Sequence, residues 1–127
     1  MRTENRVLLL VSHGSREGSA NLEFKRLARK YQARHPRWKV SHAFLELARP
    51  SIPEALESLV HTTRSADILV LPYFLFAARH VKKDIPAIIK IFRKKYPRVK
   101  VRMAKPLGSD PKLLDVLDLR LNQIFQK

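Results

Sequence analysis

The feature that most constrains this chain is an alternation of short apolar runs with longer segments of helical periodicity, sustained from one end to the other. Arg6-Val-Leu-Leu-Leu-Val-Ser12 and Asp67-Ile-Leu-Val-Leu-Pro-Tyr73 are continuous apolar runs, the pattern of strands covered on both faces. Lys39 to Leu45 and Val99 to Met103 are shorter and partly alternating, which places them nearer a sheet edge. The segments between them carry helix signals. Ser51-Ile-Pro-Glu54 has the spacing of a capping box with an early Pro, and Ala55, Leu56, Leu59 and Val60 follow at helical spacing. Asp110-Pro111 opens a last helix through Leu113, Leu114, Leu117, Leu121 and Ile124. Helices from about Ala20 to His35 and about Val81 to Tyr96 complete the set, closed by Pro36 and Pro97.

The order βαβαβαβα predicts an α/β fold: a doubly wound, parallel four-stranded sheet with helices on both faces and right-handed crossovers. At 127 residues the chain is read as one domain, 1–127. In such a sheet a ligand sits at the carboxyl ends of the strands, near the point where strand order reverses. A flavodoxin-like order 2-1-3-4 would make the ends of the first three strands neighbours.

Three of those ends carry chemistry. The first runs into Ser12-His13-Gly14-Ser15-Arg16, the second reaches Glu46, and the third is followed by Tyr73-Phe-Leu-Phe-Ala-Ala-Arg-His80. Each residue has a plain structural reading when taken singly. His13 could pack a tight turn eased by Gly14, Glu46 could pair with Arg49, and His80 could be an exposed residue of a first helical turn. Together, two imidazoles and a carboxylate suit borderline divalent ions such as cobalt, nickel, iron and zinc, in a site open enough to exchange them. They could also accept protons near neutral pH. The chain has no cysteine, so thiolate sites and disulfides are excluded. His35, His42 and His61 read as structural or surface residues.

The formal charge is +15, from 26 Lys plus Arg against 11 Asp plus Glu. A field of that sign attracts polyanions: nucleic acid, an anionic membrane surface or a small polycarboxylate. The apolar run near the amino terminus is only five residues long, too short for a signal-peptide core or a membrane span, so a cytoplasmic protein without a membrane role is expected.

Val11-Ser-His-Gly-Ser-Arg16 followed by Asn21, Phe44-Leu-Glu-Leu-Ala-Arg-Pro-Ser-Ile-Pro-Glu-Ala-Leu56, and Leu71-Pro-Tyr-Phe-Leu-Phe-Ala-Ala-Arg-His-Val-Lys-Lys-Asp-Ile-Pro86 together resemble the class II chelatases, in particular the short sirohydrochlorin cobaltochelatase CbiX and its SirB-like ferrochelatase relatives. The resemblance spans nearly the whole chain. It implies a sirohydrochlorin chelatase that inserts Co2+, with Ni2+ or Fe2+ as alternatives, needs no organic cofactor, and works as a homodimer because longer relatives contain two such domains around one cleft. By the same implication His13 and His80 are metal ligands, and Glu46 is a ligand or proton acceptor. The substrate, with eight carboxylates, would meet Ser15, Arg16, Arg49, Arg79, Lys82 and Lys83, while Tyr73, Phe74 and Phe76 would pack the macrocycle face, the dimer contact or the core. One departure stands out: Ala78, where many relatives carry Gly.

Two other functions are weighed beside it. A histidine phosphatase also places His-Gly after its first strand, but the Arg expected just before that His is Ser12 here. A basic nucleic-acid-binding module could use Lys90, Arg93, Lys94, Lys95 and Arg98, although no binding motif is present and little aromatic character is interleaved.

Overall fold

In the computed structural model, which describes residues 6–63 and 67–126, the elements run β1 (Val7–Ser12), α1 (Gly18–Arg34), β2 (Lys39–Phe44), α2 (Ile52–Thr62), β3 (Asp67–Pro72), α3 (Ile85–Lys95), β4 (Lys100–Met103) and α4 (Pro111–Phe125). A π-helical turn, His80–Asp84, runs directly into α3. All strand pairs are parallel and their order is β2-β1-β3-β4, so the two continuous apolar runs are the central strands and the shorter ones the edges.

The two faces of the sheet are covered unequally. On one side Leu9, Val11, Ile68, Val70 and Val101 pack against Ile52, Leu56 and Leu59 of α2 and Ile85, Ile89 and Phe92 of α3. On the other, Leu8, Leu10 and Phe44 pack against Phe24 and Ala28 of α1, with Leu69 and Leu71 only partly buried. α2 begins as its sequence requires: the Ser51 hydroxyl accepts from the Glu54 N–H at 3.2 Å and the Glu54 carboxylate accepts from the Ser51 N–H at 2.9 Å.

Two differences from the sequence expectation have physical causes. The helix read from Val81 to Tyr96 is two segments, because Pro86 has no N–H to continue an α-helical ladder; the Ile85 N–H instead bonds to the His80 carbonyl, five residues back. α4 forms where its cap and periodicity predict, with the Asp110 carboxylate accepting from the Lys112 N–H at 2.9 Å, yet none of its residues is buried. No helix among the described residues is long and apolar enough to cross a membrane.

Candidate metal centre

His13 lies one residue beyond β1 and Glu46 two beyond β2. The pairing of those strands continues past their ends: the Leu45 N–H donates to the Ser12 carbonyl at 2.8 Å and the Glu46 N–H to the His13 carbonyl at 3.0 Å. This extension carries Glu46 alongside His13. It requires Gly14, whose φ is +95° and where a Cβ would stand 1.8 Å from the Glu46 carbonyl oxygen.

The loop after Gly14 is clamped by Asn21 of α1. Its side-chain oxygen accepts from the Ser15 N–H at 3.0 Å and its amide donates to the Ser15 carbonyl at 2.7 Å. The third member, His80, arrives at the head of the π-helical turn after the 73–79 loop. That loop is tied to the one after β4 by the Leu107 N–H donating to the Phe74 carbonyl at 2.9 Å.

The three expected side chains meet. His13 Nε2 is 3.0 Å from Glu46 Oε1, the two imidazole rings are 4.8 Å apart edge to face, and one ligand atom from each of His13, Glu46 and His80 lies within 4.8 Å of the others. Their side chains are 40%, 51% and 40% exposed, so the group is open to solvent and to a large ligand. His13 Nδ1 sits 3.0 Å from the Gly14 carbonyl, which sets the proton on that nitrogen and turns the Nε2 lone pair toward Glu46. The same two atoms can share a proton or serve together as ligands to a metal ion.

Asp84 completes the arrangement and was not singled out from the sequence. Its carboxylate lies 2.8 Å from His80 Nδ1, holding the proton there and leaving Nε2 available as a ligand. A carboxylate behind a metal-binding imidazole orients it and raises its basicity. The available signal was the i,i+4 spacing of His80 and Asp84 on one helical turn.

The other candidate residues divide. Arg16 and Arg79 are exposed on this rim, as are Lys82 and Lys83 on the π-helical turn. The Ser15 hydroxyl accepts from the Glu17 N–H at 3.0 Å, so Ser15 shapes its own loop. Arg49 is bound to Glu54 by a bidentate ion pair, and Glu46 pairs with His13 instead of with Arg49. Tyr73 leans on Phe24 at 5.6 Å beside a cleft of about 320 Å³ that Ser12, Ala20, Glu23 and Leu27 also line. Phe74 packs against the core, whereas Phe76 is 70% exposed. Ala78 sits without strain: among the described residues Leu47 is the one non-glycine with positive φ, at 67°.

The remaining histidines stand apart from this group. His35 stacks on Trp38 at 3.8 Å, and His61 lies beside Tyr96 and Glu57. Partial burial, helped by Lys25 and Arg29, lowers the pKa of His42. Of the basic residues considered for nucleic acid, Lys95 is paired with Glu57 at 3.1 Å and the Arg93 guanidinium is bonded to the Val101 carbonyl.

The CbiX family model matches residues 7–124, nearly the whole of the described fold. The chain belongs to the CbiX family. It is 36% identical to the sirohydrochlorin cobaltochelatase of Sulfolobus acidocaldarius, over 87% of this chain and 85% of that protein. It is 32% identical to the chloroplastic sirohydrochlorin ferrochelatase of Arabidopsis thaliana, over 90% of this chain and 50% of the plant protein. Among solved structures it is similar to the sirohydrochlorin chelatase SirB from Bacillus subtilis subspecies spizizenii in complex with cobalt, with a TM-score of 0.85, 30% identity, and coverage of 95% of this chain and 51% of that one. This CbiX-family chain therefore spans about half the length of the plant protein and of SirB, and most of the length of the archaeal one.

Proposed function

We propose that this chain is a sirohydrochlorin chelatase that inserts Co2+ into the tetrapyrrole, with Ni2+ and Fe2+ as alternative ions, in cobalamin-type or siroheme-type biosynthesis. The observation that carries this reading is the convergence of His13, Glu46 and His80 within 4.8 Å at the open strand-end rim of a CbiX-family fold.

In this account the divalent ion is a substrate, not a resident cofactor. His80, oriented by Asp84, and His13 present their Nε2 atoms to it, and Glu46 offers a carboxylate oxygen. With at most three protein donors the ion keeps open positions for the pyrrole nitrogens. Insertion replaces two pyrrole N–H protons with one divalent ion, so two protons must leave. Glu46 and the His13 Nε2 that faces it are placed to take protons as the ion moves into the ring. Catalysis comes mainly from holding ion and macrocycle in register.

The net charge of +15, with Arg16, Arg79, Lys82 and Lys83 on the rim, favours a polycarboxylate ligand. Exposed Tyr73 and Phe76 offer apolar surface to the flat macrocycle. A phosphatase reading gains no support from the geometry, because His13 faces a carboxylate that repels a phosphate. The half-length match to SirB supports two copies of the chain facing across one cleft, and a cytoplasmic location belongs to the same reading.

The test is an anaerobic absorbance assay with sirohydrochlorin and Co2+, Ni2+ or Fe2+ in turn. Insertion faster than the uncatalysed rate with at least one ion is expected. Rates equal to the uncatalysed ones for all three would overturn the proposal.

A further inference from the structure

The positive charge of the chain is concentrated away from the metal rim as well as on it. From Phe24 to Leu45 there is no Asp or Glu, against seven Lys or Arg. Five of these, Lys25, Arg26, Arg29, Lys30 and Arg34, lie on α1. That helix turns Phe24, Leu27, Ala28 and Tyr31 toward the sheet, and Arg26, Arg29, Lys30 and Arg34 are exposed.

Lys25 and Arg29, Arg26 and Lys30, and Lys30 and Arg34 are like-charged pairs four residues apart, an arrangement that destabilises a helix. A helix face that only meets water gains by alternating the two signs at this spacing. The acids that could neutralise the stripe are engaged elsewhere: Glu54 with Arg49, Glu57 with Lys95 and Asp67 with Arg102. Burial, together with Lys25 and Arg29, lowers the pKa of His42, so the positive field of α1 reaches the neighbouring strand.

The backbone at the end of the stripe is firmly held. The Gln32 amide donates to the carbonyls of His35 and Trp38 at 3.0 and 2.7 Å, and its oxygen accepts from the Val40 N–H at 2.9 Å. Trp38 stacks on His35 at 3.8 Å and carries the Arg6 guanidinium over its ring at 5.9 Å. A surface ordered before its ligand arrives binds at a lower entropic cost.

We propose that the outer face of α1 binds the phosphate backbone of a nucleic acid without reading its sequence, as a property separate from metal insertion. α1 leaves the metal rim at Gly18 and runs back along the sheet for about 25 Å, so its basic half points away from His13. The lack of an apolar anchor selects the occupant. Among the described residues of α1, Leu22, at 40%, is the one large hydrophobic residue that is exposed. A protein partner ordinarily meets an apolar or aromatic centre, and a membrane-surface helix inserts an apolar face, which α1 has already buried against the sheet. A polyphosphate requires neither, because phosphate neutralisation by Lys and Arg supplies essentially all of non-specific affinity. A basic stripe along one helix, in a chain of +15, is the electrostatic footprint of that binding. The α3 cations are the poorer candidate, since Lys95 and Arg93 already have partners.

The test is fluorescence anisotropy of the full chain with a short labelled DNA duplex and with an RNA duplex of the same sequence, across a range of salt. A dissociation constant of roughly 1–100 µM at physiological salt is expected for at least one of them, with a linear dependence of its logarithm on that of salt. Arg26→Gln/Lys30→Gln/Arg34→Gln should weaken binding by about tenfold or more and reduce the salt slope by roughly three. Gln suits a helix and removes the repulsion, so the fold should persist in circular dichroism. Lys90→Gln/Lys94→Gln/Arg98→Gln removes the same charge from α3 and the turn after it, and should leave most of the affinity. Equal losses in the two triple variants would overturn the proposal, leaving only bulk charge. No binding of either duplex at physiological salt would overturn it too, and retention on phosphatidylglycerol vesicles in that case would assign the face to a bilayer. The chelatase reading is tested separately: metal insertion should be unchanged in the α1 variant, and slower insertion with intact duplex binding would overturn the proposal by assigning the stripe to the polycarboxylate.

Discussion

The edge of one imidazole meets the face of the other where His13 and His80 approach, at 4.8 Å between ring centres, although 67 positions and two crossovers separate them in the chain. The strand order β2-β1-β3 makes this approach, and the continued pairing beyond β1 and β2 adds Glu46. Each part of the arrangement has a distinct experimental signature.

Asp84 is a positioning residue that acts through His80. Asp84→Asn should weaken Co2+ binding by roughly 10- to 100-fold, the usual effect of losing a carboxylate behind a ligating imidazole, while Asp84→Glu recovers part of it. Calorimetric titration with Co2+ measures this. Unchanged affinity in Asp84→Asn would show that the 2.8 Å contact only decorates the helical turn.

Gly14 has no tolerated substitute. In Gly14→Ala the new Cβ meets the Glu46 carbonyl, and an L-residue at φ +95° adds strain, so a loss of about 3 kcal/mol or more is expected in chemical denaturation. A variant as stable as wild type would mean that the strands separate at no cost beyond their ends.

Asn21→Ala removes both bonds to the Ser15 backbone. A stability loss of about 1–2 kcal/mol is expected. Because the loop that carries His13 is loosened, Co2+ affinity should fall as well. Stability falling while affinity stays constant would separate the clamp from the site.

The Arg49 guanidinium, together with the Ser51 N–H, holds Glu54 down to about 2 from an ordinary 4.5. A depressed carboxylate contributes stability above its unfolded pKa and loses it as pH falls toward the folded value. Wild-type stability should therefore decline between about pH 4.5 and 2, and Glu54→Gln should flatten that part of the profile. Thermal melts across this range give the answer; identical slopes would rule out the pair as a contributor.

Much of this was legible in the sequence. The four strands and the helices between them follow from apolar runs, caps and prolines, because those signals are local, whereas the π-helical turn ahead of α3 does not. His13, Glu46 and His80 were legible because a parallel sheet concentrates function at one edge. Asp84 was not, since a carboxylate four residues along a helix can turn to solvent as readily as to an imidazole, and the π-helical register that brings it to His80 depends on Pro86. The resemblance assigns Arg49 to the substrate, but its neighbour Glu54 binds it. Periodicity marked the apolar stripe of α4 without indicating what covers it, since a stripe records only that something does.

The most direct test of the account is anomalous scattering from crystals soaked in Co2+. A cobalt peak about 2.1 Å from Nε2 of both His13 and His80, lost in His80→Ala, is the expected result. A cobalt ion bound elsewhere, with both imidazoles unliganded, would contradict it.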